Sequence, residues 1–340
     1  KHIERVAVES GRSESMAFFG VGNHGGGPTV ANVERIHQAQ SEDRPVEYLI
    51  STPDRYFEEV MKKAGSEPLP VLKGDLQHHA SGCYSTHVET KYLNRKSEQT
   101  LMAAEKCAVL ANQKLGLKYD CLRLEKAWEK VLFNQFHDIL PGSSIARVYD
   151  EALEQHNDII RAATGHAADA QQALITKDEG VTVFNSLCFE RQALVTLPAD
   201  YAQGAVTQEG APVPTQPTQN GALALVDLPA VGAVSLTPAT AKGKAGPCTA
   251  VMEGANARLT NDHVDITFNA LGEVTSFVDK TTGREYAAGP MNKLLMYKDV
   301  PRLFDAWDID SHYELQPVAL DEPATITVLE ASGLRASLRV

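Results

Sequence analysis

At 340 residues the chain is too long for one typical domain, and its 43% hydrophobic and 22% charged content excludes a disordered or low-complexity protein. The formal net charge of -12 excludes nucleic-acid binding as the main task, because phosphate contacts need clustered Lys and Arg. No apolar run reaches membrane-spanning length, so neither nucleic acid nor membrane is an expected partner. The five cysteines are scattered, odd in number and free of CxxC spacing, which argues against a disulfide framework or a thiolate zinc site and for a reducing compartment.

The first part alternates between extended and helical patterns. Residues 17–21 read as a short apolar strand running into the turn Gly22-Asn23-His24-Gly25-Gly26-Gly27-Pro28-Thr29. A polar helix is predicted over 30–40, a buried strand over 46–50, a helix from Pro53 to about Lys63 capped by Thr52, and another extended piece over 70–72. Strand and helix in alternation is the pattern of a parallel α/β domain. It begins abruptly, as though earlier units were absent.

The second part is helical. Leu101, Ala104, Ala108, Ala111 and Leu115 share one face of a predicted helix, and Leu124, Trp128, Leu132 and Phe136 share a face of the next, with Gly116 between them. Ser143 or Ser144 can cap a third helix that turns Ile145, Val148, Ala152, Leu153, His156 and Ile159 inward. Three helices on short loops predict a bundle. After about residue 176 the period changes to strands over 181–184, 193–197, 222–226 and 233–236, a linker over 238–248, and an alternating stretch over 258–269. The fold class expected is therefore multidomain: the C-terminal part of an α/β domain over 1–85, a helical bundle over 86–176, a small β domain over 177–240, and a β-sandwich domain opening at 241.

The chemistry concentrates in a few segments. Asn134 to Ser144 (NQFHDILPGSS) places His137 and Asp138 at the end of an apolar helix, before a proline-glycine stop. A neutral imidazole there suits a zinc ion, and Asp138 suits a ligand-orienting or hydroxyl-gripping role. A dipole-stabilised helix-end histidine paired with its neighbour is the commonplace alternative. The glycines of the 22–29 turn let backbone approach a ligand, although GxGxxG and Walker spacing are both missing, and a plain tight turn reads equally well. In GDLQHHASGCYST (74–86), His78 and His79 face opposite ways, while Tyr84 and Ser85 offer hydroxyls that suit a sugar. His263-Val-Asp265 places two polar groups on one strand face and reads as surface, and LFDAWDID (303–310) combines aromatic rings with carboxylates, Asp308 among them.

These stretches together resemble glycoside hydrolase family 38, the α-mannosidases, in its bacterial and cytosolic branch. The resemblance rests on FGVGNHGGGPT (19–29), GDLQHHASGCYSTHVETKYLNR (74–95), LFNQFHDILPGSSI (132–145) and PRLFDAWDIDSHY (301–313). It implies an α/β barrel followed by a helical bundle and β-sandwich domains. It also implies one zinc ion with His137 as a ligand, Asp138 beside the mannose hydroxyls, and the nucleophile and other ligands upstream of the Gly-rich turn. On that comparison the chain is an internal piece of a longer enzyme and is inactive alone. The family's acid is expected near the Gly-rich turn, where this chain carries Asn23 and His24. Asn cannot deliver a proton, which leaves His24 as the nearer candidate. An α-mannoside oligosaccharide is the implied substrate and the cytoplasm the implied location, and self-association into a homo-oligomer is compatible with both. The rival from another class is a non-catalytic carbohydrate-binding or scaffolding module.

Overall fold

The computed structural model describes residues 14–20, 27–65, 71–76, 80–175, 180–240 and 246–340, with Arg5 and Glu9. It divides into two compact units, Lys1–Asp75 and Leu76–Val340.

In the first unit two helices form where the sequence predicts them. Helix α1 (Val30–Ser41) opens on a reciprocal capping box between Thr29 and Asn32, with hydrogen bonds of 3.2 and 3.0 Å. Helix α2 (Pro53–Ala64) has Thr52 as cap, Pro53 at its start and Gly65 beyond its end. The strands expected over 17–21 and 46–50 are not found at their described residues. Leu49 and Ile50 expose 59% and 48% of their surface, and neither helix has a buried residue. A parallel strand exists through paired neighbours and covered faces. Among the described residues of this unit, no strand is present to pair with.

The second unit begins with helices α3 (Val88–Leu115), α4 (Cys121–Asn134) and α5 (Ala146–Leu174). Helix α3 stops at Gly116, whose φ of +69° is the left-handed conformation of a glycine terminator. Leu101 and Ala104 from α3, Leu124, Ala127 and Val131 from α4, and Ile159 and Ala163 from α5 form one core. The predicted face of α3 is correct except for Leu115, which is exposed. The predicted face of α4 is half right, since Leu124 is buried and Trp128 packs against the core. Leu124, Ala127, Val131 and Asn134 point inward, while Leu132 and Phe136 are 63% and 51% exposed. The alanines of this seam let the helices approach closely, leaving no room for the bulkier side chains. The N-cap of α5 is Ile145, without a side-chain hydrogen bond, rather than Ser143 or Ser144.

Seven strands follow, in register across two antiparallel sheets: β1 (Val181–Asn185), β2 (Arg191–Leu197), β3 (Ala205–Thr207), β4 (Pro212–Val213), β5 (Thr215–Thr218), β6 (Gly221–Leu228) and β7 (Gly232–Pro238). One sheet has the order β1-β7-β3-β4 and the other β2-β6-β5. Leu197, Val226, Leu236, Val213 and Tyr201 fill a common core between them, with the Tyr201 hydroxyl donating to the Leu236 carbonyl at 2.8 Å. Strands β8 (Cys248–Glu253), β9 (Asn256–Thr260), β10 (Val264–Phe268), β11 (Val274–Asp279) and β12 (Arg284–Glu285) then form a meander. The alternating stretch over 258–269 is thus two strands and a turn. His263 lies in the turn, so it does not share a strand face with Asp265, which instead receives the Arg258 guanidinium from β9. No helix among the described residues is long and apolar enough to cross a membrane.

Candidate active-site surface

Helix α4 ends at Asn134, and His137 and Asp138 lie in the turns beyond it, not on its last turn. The chain there tightens into three-residue steps: Phe136 N donates to Phe133 O at 3.1 Å, Ile139 N to Phe136 O at 2.9 Å and Gly142 N to Ile139 O at 3.1 Å. Pro141 explains the tightening, because the residue before a proline is driven out of the α region. Tight turns rotate successive side chains differently from a helix, and they deliver His137 and Asp138 outward together. The His137 Nε2 lies 3.6 Å from the Asp138 carboxylate, and the two side chains are 66% and 40% exposed. Phe136 packs its ring against the imidazole at 4.2 Å.

One other segment, residues 80–87, meets this turn through Thr86 and Gly142, and a third, residues 304–308, meets the 80–87 segment. Residues 80–87 form a short 3-10 turn, Ser81–Tyr84, with left-handed residues at both ends: Ala80 at φ +55° and His87 at φ +49°. Residues 304–308 open on another left-handed residue, Phe304. The Gly82 amide donates to the Trp307 carbonyl at 2.9 Å, and the Ala80 amide to Asp308 Oδ1 at 3.2 Å. A Cβ on Gly82 would stand 3.1 Å from the Trp307 carbonyl oxygen, so the close approach suits glycine. Gly142, at φ +92°, packs against Thr86, where a Cβ would meet the carbonyl oxygen at 2.7 Å. Three segments far apart in sequence therefore share one surface.

The electrostatics record the same neighbourhood. Burial pushes the Cys83 thiol up, Asp308 and Asp138 add to it, and Lys91 opposes. Burial pushes the Lys91 ammonium down, against a smaller upward pull from Cys83. Burial also raises Tyr149, with Asp138 and Cys83 contributing, while the Ser144 amide pulls the other way. The Tyr149 hydroxyl accepts from the Ser144 amide at 2.7 Å and donates to the Asp138 carbonyl at 3.2 Å, and Ser143 Oγ donates to Asp138 Oδ1 at 3.3 Å.

Of the residues singled out in the sequence, His137, Asp138, Tyr84, Ser85 and Asp308 are all carried by these three segments. Tyr84 and Ser85 are exposed, and Asp308 is half-buried with one oxygen engaged by Ala80. Asn23 and His24 lie outside the described residues, as do His78 and His79. Sequence reasoning missed Lys91, Tyr149 and Gly142. Only Gly142 carries a signal, since a glycine after proline marks a turn. Among the described residues no group of three or more His, Cys, Asp or Glu side chains is placed to hold a metal ion. The described donor set toward a metal is therefore one accessible imidazole with a carboxylate beside it, and it cannot enclose an ion by itself.

Residues 78–174 match the model of the alpha mannosidase middle domain, and residues 259–340 that of the glycosyl hydrolases family 38 C-terminal domain. The chain is 30% identical to alpha-mannosidase 2C1 of Homo sapiens over 97% of its own length and 31% of that protein. It is 27% identical to alpha-mannosidase G of Dictyostelium discoideum over 96% of its length and 33% of that protein. The chain thus spans about a third of the length of these curated relatives. An alpha-mannosidase from Enterococcus faecalis V583 superposes with a TM-score of 0.59 at 17% identity, covering 92% of this chain and 42% of that one. At that identity the superposition speaks to fold alone. With two family segments matched in order and relatives aligned along nearly its whole length, the chain belongs to glycoside hydrolase family 38.

Proposed function

We propose that the full-length protein is a zinc-dependent, retaining α-mannosidase, and that the surface built from residues 80–87, 137–138 and 304–308 is its contribution to the sugar site. The observation that carries the reading is the outward presentation of His137 and Asp138 on a turn that packs, through Gly142, on Thr86 of the segment bearing Tyr84 and Ser85. Asp138 accepts hydrogen bonds from sugar hydroxyls, with one oxygen already steadied by Ser143. Tyr84 and Ser85 offer hydroxyls that both donate and accept, as a polyol requires. Asp308 holds the segment of Ala80 in place and has a second oxygen that can turn toward ligand. His137 supplies one ligand to a zinc ion whose other ligands lie outside this stretch. The ion, when bound, polarises and orients sugar hydroxyls. Retention needs two carboxyl groups, a nucleophile and an acid/base. The nucleophile lies outside this stretch, and the acid is assigned to His24 of the Gly-rich turn, an imidazole in place of the usual carboxyl, because the neighbouring Asn23 cannot deliver a proton. The stretch alone is therefore inactive.

The test is hydrolysis of an aryl α-mannoside by the full-length protein, before and after a chelator and after zinc is restored. Turnover that falls with the chelator and returns with zinc is expected. Turnover indifferent to metal removal overturns the zinc assignment, and mannoside binding without turnover establishes the non-catalytic module instead.

A further inference from the structure

Lys91 sits in the first turn of α3, where a lysine reads as a solvated helix residue. Its ammonium instead donates to three backbone carbonyls: Thr86 at 2.6 Å, Leu140 at 2.9 Å and Pro141 at 3.3 Å. An ammonium has three N–H donors, so these acceptors satisfy it completely. No carboxylate forms an ion pair with it among the described residues. The acceptors belong to two segments about fifty residues apart. Thr86 closes the segment that carries Tyr84 and Ser85, and Leu140 and Pro141 close the turn that carries His137 and Asp138.

Two further contacts fix the same junction. The Tyr149 ring stacks on His87 with centroids 3.9 Å apart and planes within 9°, while its hydroxyl holds Asp138 and Ser144 by their backbones. Gly142 rests on Thr86, whose carbonyl oxygen Lys91 holds. None of these groups needs to touch a ligand. Each controls where His137 and Asp138 stand relative to Tyr84 and Ser85.

We infer that Lys91 is a positioning residue for the sugar site, pinning the turn of His137 and Asp138 to the hydroxyl-bearing segment through three carbonyls. The inference rests on the mannosidase reading for its catalytic consequence, though not for its geometry. An ammonium is a compact donor that serves carbonyls converging from different directions. The planar guanidinium of arginine presents its donors as a fork and cannot replace it here.

The experiment compares Lys91→Met, Lys91→Gln and the control Lys126→Met in the full-length protein. Lys126 is an exposed residue of α4 whose hydrogen bonds go to Glu129. Two readouts are taken below the melting temperature: kcat and KM on an aryl α-mannoside, and hydrogen exchange at the amides of Ile139, Leu140 and Gly142. The expected result for Lys91→Met is a roughly 10- to 100-fold loss of kcat/KM carried mainly by kcat, the scale of an ångström-sized misplacement. Faster exchange should be confined to those amides, with a smaller loss for Lys91→Gln and neither change for Lys126→Met. A folded Lys91→Met with kcat/KM within twofold of wild type overturns the inference. So does exchange accelerated evenly along α3, α4 and α5, or failure of both Lys91 variants to fold, since Lys91 would then serve the fold as a whole. Absence of turnover in the wild type sinks the mannosidase reading instead, and exchange at the three amides still decides whether Lys91 positions the turn.

Discussion

The same substitution, Gly→Ala, should act with opposite sign at two glycines of the helical region. Gly142 adopts φ +92°, where an L side chain is strained by roughly 1–2 kcal/mol. Its new Cβ would stand 2.7 Å from the Thr86 carbonyl oxygen and 2.9 Å from the Thr86 Cγ2. A carbonyl is backbone and cannot rotate away, so relieving the overlap adds about 1–3 kcal/mol. Lower entropy of the unfolded chain returns about 0.4–1 kcal/mol. Gly142→Ala should therefore destabilise by about 1–5 kcal/mol, with about 3 as the central value. Gly165 lies exposed inside α5, and a Cβ there meets nothing within 4 Å. Gly165→Ala should stabilise by about 0.5–1 kcal/mol through helix propensity alone. Equilibrium urea unfolding followed by tryptophan emission measures both, because Trp128 packs on the shared helical core and donates to Glu105 at 2.8 Å. A Gly142→Ala protein as stable as wild type would refute the reasoning: the turn would not need its left-handed residue, and the contact with Thr86 would be slack.

Two other outcomes follow from titratable groups elsewhere. His156 is fully buried with its Nδ1 at 3.0 Å from Ser97 Oγ and its Nε2 unpartnered, and burial lowers its pKa. The unfolded chain binds that proton first, so stability is lost as pH falls below the ordinary value of about 6.5, by up to about 1.4 kcal/mol per unit. Urea midpoints between pH 7.5 and 5 should fall more steeply for wild type than for His156→Leu, and parallel slopes would show that other groups carry the effect. Asp265, held below the usual carboxylate range first by its hydrogen bond from Arg258, belongs to a solvent-exposed pair on the β9–β10 hairpin. Asp265→Asn should change stability by less than about 1 kcal/mol and leave aryl α-mannoside turnover of the full-length protein untouched, and a large loss of turnover would overturn the reading of the His263–Asp265 pair as surface.

What could be read from the sequence divides along the range of the interactions involved. Thr52 announced the start of α2 and Gly116 the break after α3, because a cap is settled within four residues. The inward face of α3 was legible because its alanines and Leu101 admit only one stripe. Helix α4 offers Ala127 and Val131 on one face and Leu132 on another, and only the width of the seam against α3 and α5 chooses between them. The strands expected over 17–21 and 46–50 were misread for the same reason, since a strand is made by its neighbours.

The candidate site shows the division most clearly. His137 and Asp138 stand adjacent in a recognisable motif, whereas the bond from Ala80 to Asp308 spans 228 residues and has no periodic trace. Ala80, His87 and Phe304 are left-handed without being glycine, and Gly142 is left-handed as well. Each non-glycine costs roughly 1–2 kcal/mol against local preference. Such residues persist where surrounding contacts over-determine them, and those contacts are visible: Ala80 is tied to Asp308, His87 is stacked on Tyr149, and Phe304 accepts from Trp307 and Asp308 through its carbonyl. The turn of His137 and Asp138 and the segment of residues 80–87 are thus held by tertiary contacts that overrule local conformation. A site assembled this way cannot be deduced from local sequence preferences. It is also sensitive to the loss of a single cross-segment donor, which is the property that Lys91→Met probes.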